Sequence, residues 1–306
     1  MREAVEELIE AMAREGYVAD RAIATSVHLA GAMGKPLLVE GDAGVGKTEI
    51  AKVAARVLDA ELIRLQCYEG LDVHTALYEW NYQKQLLRIR VAEERDAADG
   101  DVTSTIFDRE YLLERPLLKA ITRPERPVLL IDEIDRADEE FEAFLLELLS
   151  DFQVSIPELG TVEATHRPRV ILTSNGTREL SDALRRRCLY LWIDHPSFEK
   201  ELRILRVRMP ELADRLGEQV VRVVHRLRDE KLYKTPGIAE TLDWARAMEE
   251  LGVESLDPET VRATLGCLLK DRHDLERFRE DGLEALVEEA VADAATAAAA
   301  PGSRDG

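Results

Sequence analysis

Cysteine is scarce in this chain. Cys67, Cys188 and Cys267 are the only three in 306 residues, and they lie far apart. Their spacing matches neither a metal framework nor a disulfide scaffold, so small buried thiols in a reducing compartment are the expectation for all three. The six histidines are scattered and suggest no metal site. No apolar run approaches the ~20 residues that a membrane span needs. The first residues, Met1-Arg2-Glu3-Ala4-Val5-Glu6-Glu7, are charged and helical in character, unlike a signal peptide. A cytoplasmic location is therefore expected. Positive charge is outnumbered too, with 41 Lys and Arg against 61 Asp and Glu and a net charge of −20. Such a field repels phosphate backbones and argues against nucleic-acid binding as the main task, although a local basic patch remains compatible with it.

The length suffices for one large domain or two smaller ones, each with its own core. Apolar strands are predicted at Leu37–Val39, Leu62–Leu65, Val128–Ile131, Val170–Thr173 and Leu189–Ile193, with helical patterns between them. That alternation predicts an α/β fold with a parallel sheet covered by helices on both faces. From Ser197 onward only helical patterns remain. Val220, Val221, Val224 and Leu227 form one stripe; Ile238, Leu242, Ala245 and Met248 form another, opened by Pro236-Gly237 and Thr241. Asp194-His195-Pro196-Ser197 marks the boundary, giving a core over 1–196, a helical domain over 197–292 and a frayed, disordered tail over 293–306. Val91 to Asp101 reads as a solvated loop.

One octapeptide carries the chemistry: Gly41-Asp42-Ala43-Gly44-Val45-Gly46-Lys47-Thr48. It follows the apolar Pro36-Leu37-Leu38-Val39 and precedes Ile50, Val53, Ala54 and Val57 at helical spacing, so it joins a strand to a helix N-terminus. Glycines let backbone N–H groups wrap a phosphate, and the helix start adds partial positive charge. Lys47 is placed to reach the outer phosphates and the Thr48 hydroxyl to ligate Mg²⁺; Glu49 follows as a further contact position. A second strand, Val128-Leu129-Leu130-Ile131, opens directly into Asp132-Glu133. Beside the phosphate loop, Asp132 would hold the Mg²⁺ through its water shell, and Glu133 would deprotonate the water attacking the γ-phosphate. Asn175, at the tip of Val170-Ile171-Leu172-Thr173-Ser174, is positioned to hydrogen-bond the γ-phosphate or that water; alone, Asn-Gly is ordinarily a turn. Leu184-Arg185-Arg186-Arg187-Cys188 sets three guanidiniums before the last strand, suited to stabilising charge on a transferring phosphoryl group, although taken alone such a run more often pairs with surface acids.

Taken in order, GDAGVGKT, LLIDE, TSN and LRRRC followed by helices resemble the AAA+ ATPases. Within them the chain resembles the MoxR group and, more narrowly, the accessory ATPases of carbon-monoxide dehydrogenase maturation. The narrower likeness rests on Lys35–Gly41, Cys67–Asp72, Ala76–Tyr82, Thr173–Leu180 and Pro236–Trp244. The resemblance implies a P-loop AAA+ core with a five-stranded parallel sheet and an all-α lid. It implies ATP with Mg²⁺ as cofactors, Asp132 and Glu133 as the Walker B pair, and Asn175 as sensor 1. The arginine finger falls at Arg186 or Arg187, with Arg187 favoured because it precedes the position where relatives carry Phe. Tyr17 and Val18 would pack on the adenine, and a hairpin over Gln153–Val162 would precede sensor 1. The implied partners are further copies in a hexameric ring, a von Willebrand factor A-type protein and a client metalloenzyme, with a molybdenum hydroxylase as the first candidate.

Two departures qualify this. No arginine lies between Lys231 and Trp244, where many AAA+ proteins carry sensor 2, so γ-phosphate sensing by the lid is in doubt. Lys47 and Asp132 stand 85 positions apart, and the extra length holds Tyr78, Trp80, Tyr82, Leu86 and Leu87. Those residues either form a partner or ring contact or pack locally over the sheet edge. Two other functions fit the fold: a nucleic-acid motor or restriction-type GTPase, disfavoured by the acidity and the missing guanine signature, and a nucleotide switch that does not hydrolyse.

Overall fold

The computed structural model describes residues 2–94, 106–280 and 282–299. They form two compact units: Met1–Ala11, Asp20–Gly41 and Lys47–Trp192 in the first, and Met12–Ala19, Asp42–Gly46 and Ile193–Gly306 in the second. The middle of the phosphate loop thus belongs to the unit that contains the helical C-terminal region.

In the first unit, α1 (Arg2–Arg14) and α2 (Arg21–Met33) lead into β1 (Leu37–Gly41), followed by α3 (Lys47–Val57) and β2 (Leu62–Gln66). Then come α4 (Val73–Leu77), β3 (Tyr78–Trp80), α5 (Tyr82–Glu94), β4 (Leu112–Glu114) and α6 (Pro116–Thr122). β5 (Val128–Asp132), α7 (Glu139–Asp151), the pair β6 (Gln153–Ile156) and β7 (Gly160–Glu163), β8 (Arg169–Ser174), α8 (Asp182–Arg187) and β9 (Leu189–Ile193) complete it. The five-stranded parallel sheet has the order β2-β5-β8-β1-β9. The three inner strands are the most buried, as expected where helices cover both faces. β1 and β5 are buried at every position. Registers Leu65↔Ile131 and Ile131↔Leu172 bring the ends of β2, β5 and β8 level, and Glu40↔Ser174 sets β1 beside them. The polar residues that close these strands therefore share one edge of the sheet.

The aromatic insertion divides. Tyr78 and Trp80 are buried, and β3 pairs antiparallel with β4. Tyr82, Leu86 and Leu87 on α5 are exposed. Helix α5 covers Val91–Glu94 of the stretch expected as a loop, and residues 95–101 of that stretch lie outside the described residues. The β6–β7 hairpin forms at the expected place.

The second unit contains α9 (Phe198–Arg208), α10 (Asp214–Asp229), α11 (Ile238–Glu250), α12 (Pro258–Thr264), α13 (Arg272–Glu280) and α14 (Leu283–Ala299). Its core is built on Val220, Val221, Val224, Leu227, Ala245 and Met248, with Trp244 fully buried. Leu242, expected in that stripe, is only partly buried. The last helix runs to Ala299, so 293–299 are helical where a tail was expected, and residues 300–306 lie outside the description. Among the described residues no helix is long and apolar enough to cross a membrane.

Inside this helical core sits a charged junction. Glu201 is 1% exposed and accepts from Arg228 Nη2 (2.8 Å) and Nη1 (2.5 Å), from Thr241 Oγ1 (2.6 Å), and faces His225 Nε2 at 2.9 Å. Burial pushes its carboxyl up, but these donors outweigh burial and hold it below the usual carboxylate range. Its stabilisation is complete above the unfolded carboxylate pKa of about 4.3 and is lost as pH falls through the lower folded value. Truncation leaves the Arg228 guanidinium buried without its counter-charge. Glu201→Ala is therefore expected to cost about 3–5 kcal/mol at pH 7 in urea unfolding followed by circular dichroism, with a smaller loss below about pH 4. An unchanged midpoint would show that the junction does not stabilise the unit.

Candidate active site

The sheet edge places the predicted carboxylates and hydroxyls together in the first unit. Asp132 ends β5 and is 2% exposed. Its Oδ1 accepts from Thr48 Oγ1 at 2.9 Å and from Thr173 Oγ1 at 2.6 Å. Its Oδ2 accepts from Arg64 Nε at 3.0 Å and Nη2 at 2.5 Å. Lys47 is buried at the start of α3, and its ammonium donates to Gly41 O at 2.8 Å, folding the side chain back along its own loop. Thr48 and Asp132, 84 residues apart, meet because β5 and β1 both flank β8.

Glu133 adopts φ 55°, the left-handed region that a non-glycine residue enters only when held there. Its N–H donates to Thr173 Oγ1 at 2.9 Å. Its carboxylate accepts from Gln66 Nε2 at 3.1 Å and lies 3.4 Å from Arg136 Nη1. Arg64 donates in turn to Gln66 Oε1, so a continuous chain of donors links Asp132 to Glu133. The sharp turn after β5 aims two adjacent acids differently, one buried among donors and one a third exposed. Arg64, Gln66 and Thr173 were not singled out in the sequence. The signal was present: Arg64 and Gln66 interrupt an apolar strand at alternate positions, which places both on one face.

Neighbouring contacts tie this edge down. Ser174 Oγ donates to Glu40 Oε1 at 3.0 Å and accepts from Gly176 N at 3.0 Å. Asp135 accepts from Thr177 N and Oγ1 at 3.0 and 2.6 Å, while its Oδ1 has no partner among the described residues. Asn175, half-buried, falls between these anchored residues, directly after Ser174 at the tip of β8. The arginines differ sharply. Arg185 reaches the buried Glu40 at 3.4 Å and stacks over Tyr190. Arg187 donates to Ser150 Oγ at 3.0 Å. Arg186 is 83% exposed and makes only a loose 3.8 Å pair with Asp182. Glu49 points along α3 to Lys52 and Arg56.

In the second unit, Asp42 and Ala43 of the loop are exposed, and Val45 is buried. Gly44 and Gly46 have φ of 79° and 94°, conformations that side chains resist. Asp42 Oδ2 lies 3.6 Å from His195 Nε2. Val18 is buried and Tyr17 half-buried in the same unit.

A glycine-rich loop between a buried strand and a helix, with a hydroxyl and a carboxylate beside its lysine, defines a P-loop nucleotide site. Thr48 and Asp132 offer the hard oxygen donors that Mg²⁺ takes, and they fit a cation held largely by nucleotide phosphates. Residues 36–188 match the AAA domain family, dynein-related subfamily, and the chain belongs to that family. AAA+ ATPases in general use ATP with Mg²⁺. The chain is similar to gas vesicle ATPase GvpN1 of Halobacterium salinarum, 26% identical over 206 residues, covering 64% of this chain and 57% of that protein. Midasin of Giardia intestinalis is 27% identical over 216 residues, covering 60% of this chain and 4% of that protein. The chain thus spans little more than half the length of the gas vesicle relatives. Among solved structures, a Thermotoga maritima RuvB Holliday junction branch migration motor superposes with a TM-score of 0.47 at 18% identity, covering 83% of this chain and 69% of that one.

The thiols are unpaired, and only Cys67 is fully buried; Cys188 and Cys267 are intermediate. Burial pushes Cys67 up to about 12, with Asp132, Asp135 and Glu133 adding to the shift. Burial likewise pushes Cys188 to about 12, against a small opposing effect of Lys35. At pH 8 both are therefore held almost wholly as thiols. Iodoacetamide at pH 8 should leave both unmodified in the folded protein and alkylate both in urea, as read by peptide mass spectrometry. Rapid modification of Cys67 in the native state would contradict its enclosure beside Asp132.

Proposed function

We propose that this chain is a MoxR-type remodelling factor that couples ATP hydrolysis to conformational work on a partner protein. The observation that carries the reading is the pairing at the end of β5: Asp132 buried against Thr48, and Glu133 turned outward at positive φ. Bound Mg²⁺ would supply charge neutralisation at the β- and γ-phosphates, with Thr48 and Asp132 as its protein-side holders. Lys47 leaves Gly41 O to meet the outer phosphates. Glu133 orients the attacking water and accepts its proton. Thr173 holds Glu133 in place through the backbone N–H, and Asn175 borders the same edge. Tyr17 and Val18 are proposed to flank the base.

Arg186 is the proposed arginine finger. Arg185 pairs with Glu40 and Arg187, though exposed, donates to Ser150, whereas Arg186 has no ion pair tighter than 3.8 Å among the described residues and is suited to a neighbouring copy's site. AAA+ ATPases commonly form oligomeric rings, which supports a homo-oligomer, proposed as a hexamer. The narrower assignment, maturation of a molybdenum hydroxylase such as carbon-monoxide dehydrogenase through a von Willebrand factor A-type partner, draws on the sequence motifs at Ala76–Tyr82 and Thr173–Leu180. The net charge of −20 supports a protein client over a nucleic-acid track.

Glu133→Gln should bind ATP as the parent does and lose at least about a hundredfold in phosphate release. Lys47→Ala should weaken nucleotide binding itself. Undiminished release by Glu133→Gln would overturn the hydrolytic assignment.

The shared site has its own test. Arg186→Ala and Glu133→Gln should each be inactive alone and regain part of the turnover when mixed, because mixed assemblies contain intact junctions. Arg187→Ala should keep most activity. No recovery on mixing, together with an inactive Arg187→Ala, would move the finger to Arg187. For the client, coexpression with an apo molybdenum hydroxylase should yield active enzyme with the parent chain and not with Lys47→Ala; equal maturation with both would remove that client.

A further inference from the structure

Helix α11 starts with a residue that its own geometry does not call for. Its N-cap is Gly237, at φ −89° and ψ −173°, extended backbone that any residue adopts. Ser, Asp or Asn at that position would also cap the helix better than glycine does. Space explains the choice. A Cβ at Gly237 would lie 2.7 Å from Gly44 Cα and 2.9 Å from both Gly44 C and O, all backbone atoms that cannot swing aside. The approach is reciprocal. A Cβ at Gly44 would meet Gly237 Cα at 3.1 Å and Glu240 Oε2 at 3.3 Å, and φ at Gly44 is 79°. Ile238 N–H then donates to Gly44 O at 3.0 Å. A P-loop glycine and the first residues of α11 are in main-chain contact within one compact unit.

The α11 side of this contact is anchored. Arg228 Nε donates to Pro236 O at 2.8 Å, and Glu240 Oε2 accepts from Gly237 N–H at 2.9 Å. Thr241, one turn into the helix, donates to the buried Glu201 at 2.6 Å, and its Oγ1 lies 3.1 Å from Gly237 O. Pro236-Gly237-Ile238 is thereby fixed to the charged junction at Glu201 and Arg228. On the loop side the consequence follows from the trans peptide, whose C=O and N–H point in opposite directions. With Gly44 O turned to Ile238, the N–H of Val45 is turned away from α11. Backbone N–H groups of this loop are the donors that receive phosphate.

We infer that Gly237 and the Ile238 N–H are positioning groups for the nucleotide: a main-chain latch that sets the Gly44–Val45 peptide and couples α11 to phosphate binding. This rests on the reading of the site as an ATP site. No arginine lies between Lys231 and Trp244, so the start of α11 acts through its backbone and not through a cationic side chain.

Two variants test it by different routes. Gly237→Ala forces the backbones apart. Ile238→Pro replaces the donor N–H with a ring Cδ that presses against Gly44 O, while the helix itself tolerates it, because proline is accepted at the first helical position and its predecessor is already extended. Ile238→Val keeps the N–H and serves as the rescue. Binding of a fluorescent ADP analogue should weaken about tenfold or more for Gly237→Ala and about three- to tenfold for Ile238→Pro, with Ile238→Val unchanged. The KM for ATP should rise in step while kcat stays within about twofold, since the latch acts on ground-state binding. Melting temperatures within a few degrees of the parent would separate this from unfolding. Parent-like affinity in both Gly237→Ala and Ile238→Pro, with Lys47→Ala still impaired, overturns the latch and leaves the ATP site standing. A parent chain that binds no nucleotide overturns the site and the latch together.

Discussion

The arrangement depends on satisfying one buried carboxylate, Asp132, inside a parallel sheet. A buried carboxylate is tolerated only when its lone pairs are met by well-placed donors. Here the donors come from three directions: Thr48 after β1, Thr173 from β8 and Arg64 from β2. Those contacts hold the strand order and register at the sheet edge where the phosphate loop begins. The same Thr173 hydroxyl that donates to Asp132 accepts from the Glu133 N–H. A single side chain therefore sets the position of the buried acid and the direction of the exposed one. Two adjacent carboxylates gain different roles from different surroundings.

A second anchored charge does comparable work in the helical unit. Glu201 gathers Arg228, His225 and Thr241, and Arg228 also holds the carbonyl of Pro236. The start of α11 is fixed by that junction, and its main chain meets Gly44. Phosphate-loop geometry is thus bound up with the integrity of a charge network several helices removed in sequence. A buried ion pair contributes little net stability compared with apolar packing. Its use here is positional, since directional donors set the placement of Pro236 and Gly237 in a way that apolar contacts do not.

Much of the fold was legible in the chain. Strands that end in Gly41, Asp132 and Ser174 were marked by short apolar runs closing on polar residues, a pattern that parallel sheets impose when both faces are covered. Lys47, Thr48, Asp132 and Glu133 stood out because phosphate chemistry constrains residue type and order along one loop or one strand. Thr173 and Gly237 were not legible, and the alternation of Arg64 and Gln66 marks a shared face of β2 without indicating what that face meets. Their roles come from neighbours distant in sequence, and each reads locally as an ordinary strand, strand-end or turn residue. The aromatic insertion illustrates the limit: Tyr78 and Trp80 turned inward while Tyr82, Leu86 and Leu87 stayed exposed, and composition alone does not divide them.

The three arginines before Cys188 show the same division of labour. Their type and clustering are sequence properties, and they announce phosphoryl chemistry or acid pairing without choosing. Packing chose for two of them, giving Arg185 to Glu40 and Arg187 to Ser150, and left Arg186 in solvent. By itself the sequence determined the α/β core, the phosphate loop and the acidic strand end, because each is encoded by contiguous residues with a fixed period or spacing. Tertiary structure alone decided which donors meet the buried Asp132, which way Glu133 turns, and which helix touches Gly44. Those are contacts between segments up to about two hundred residues apart, and only the folded backbone brings them within hydrogen-bonding distance.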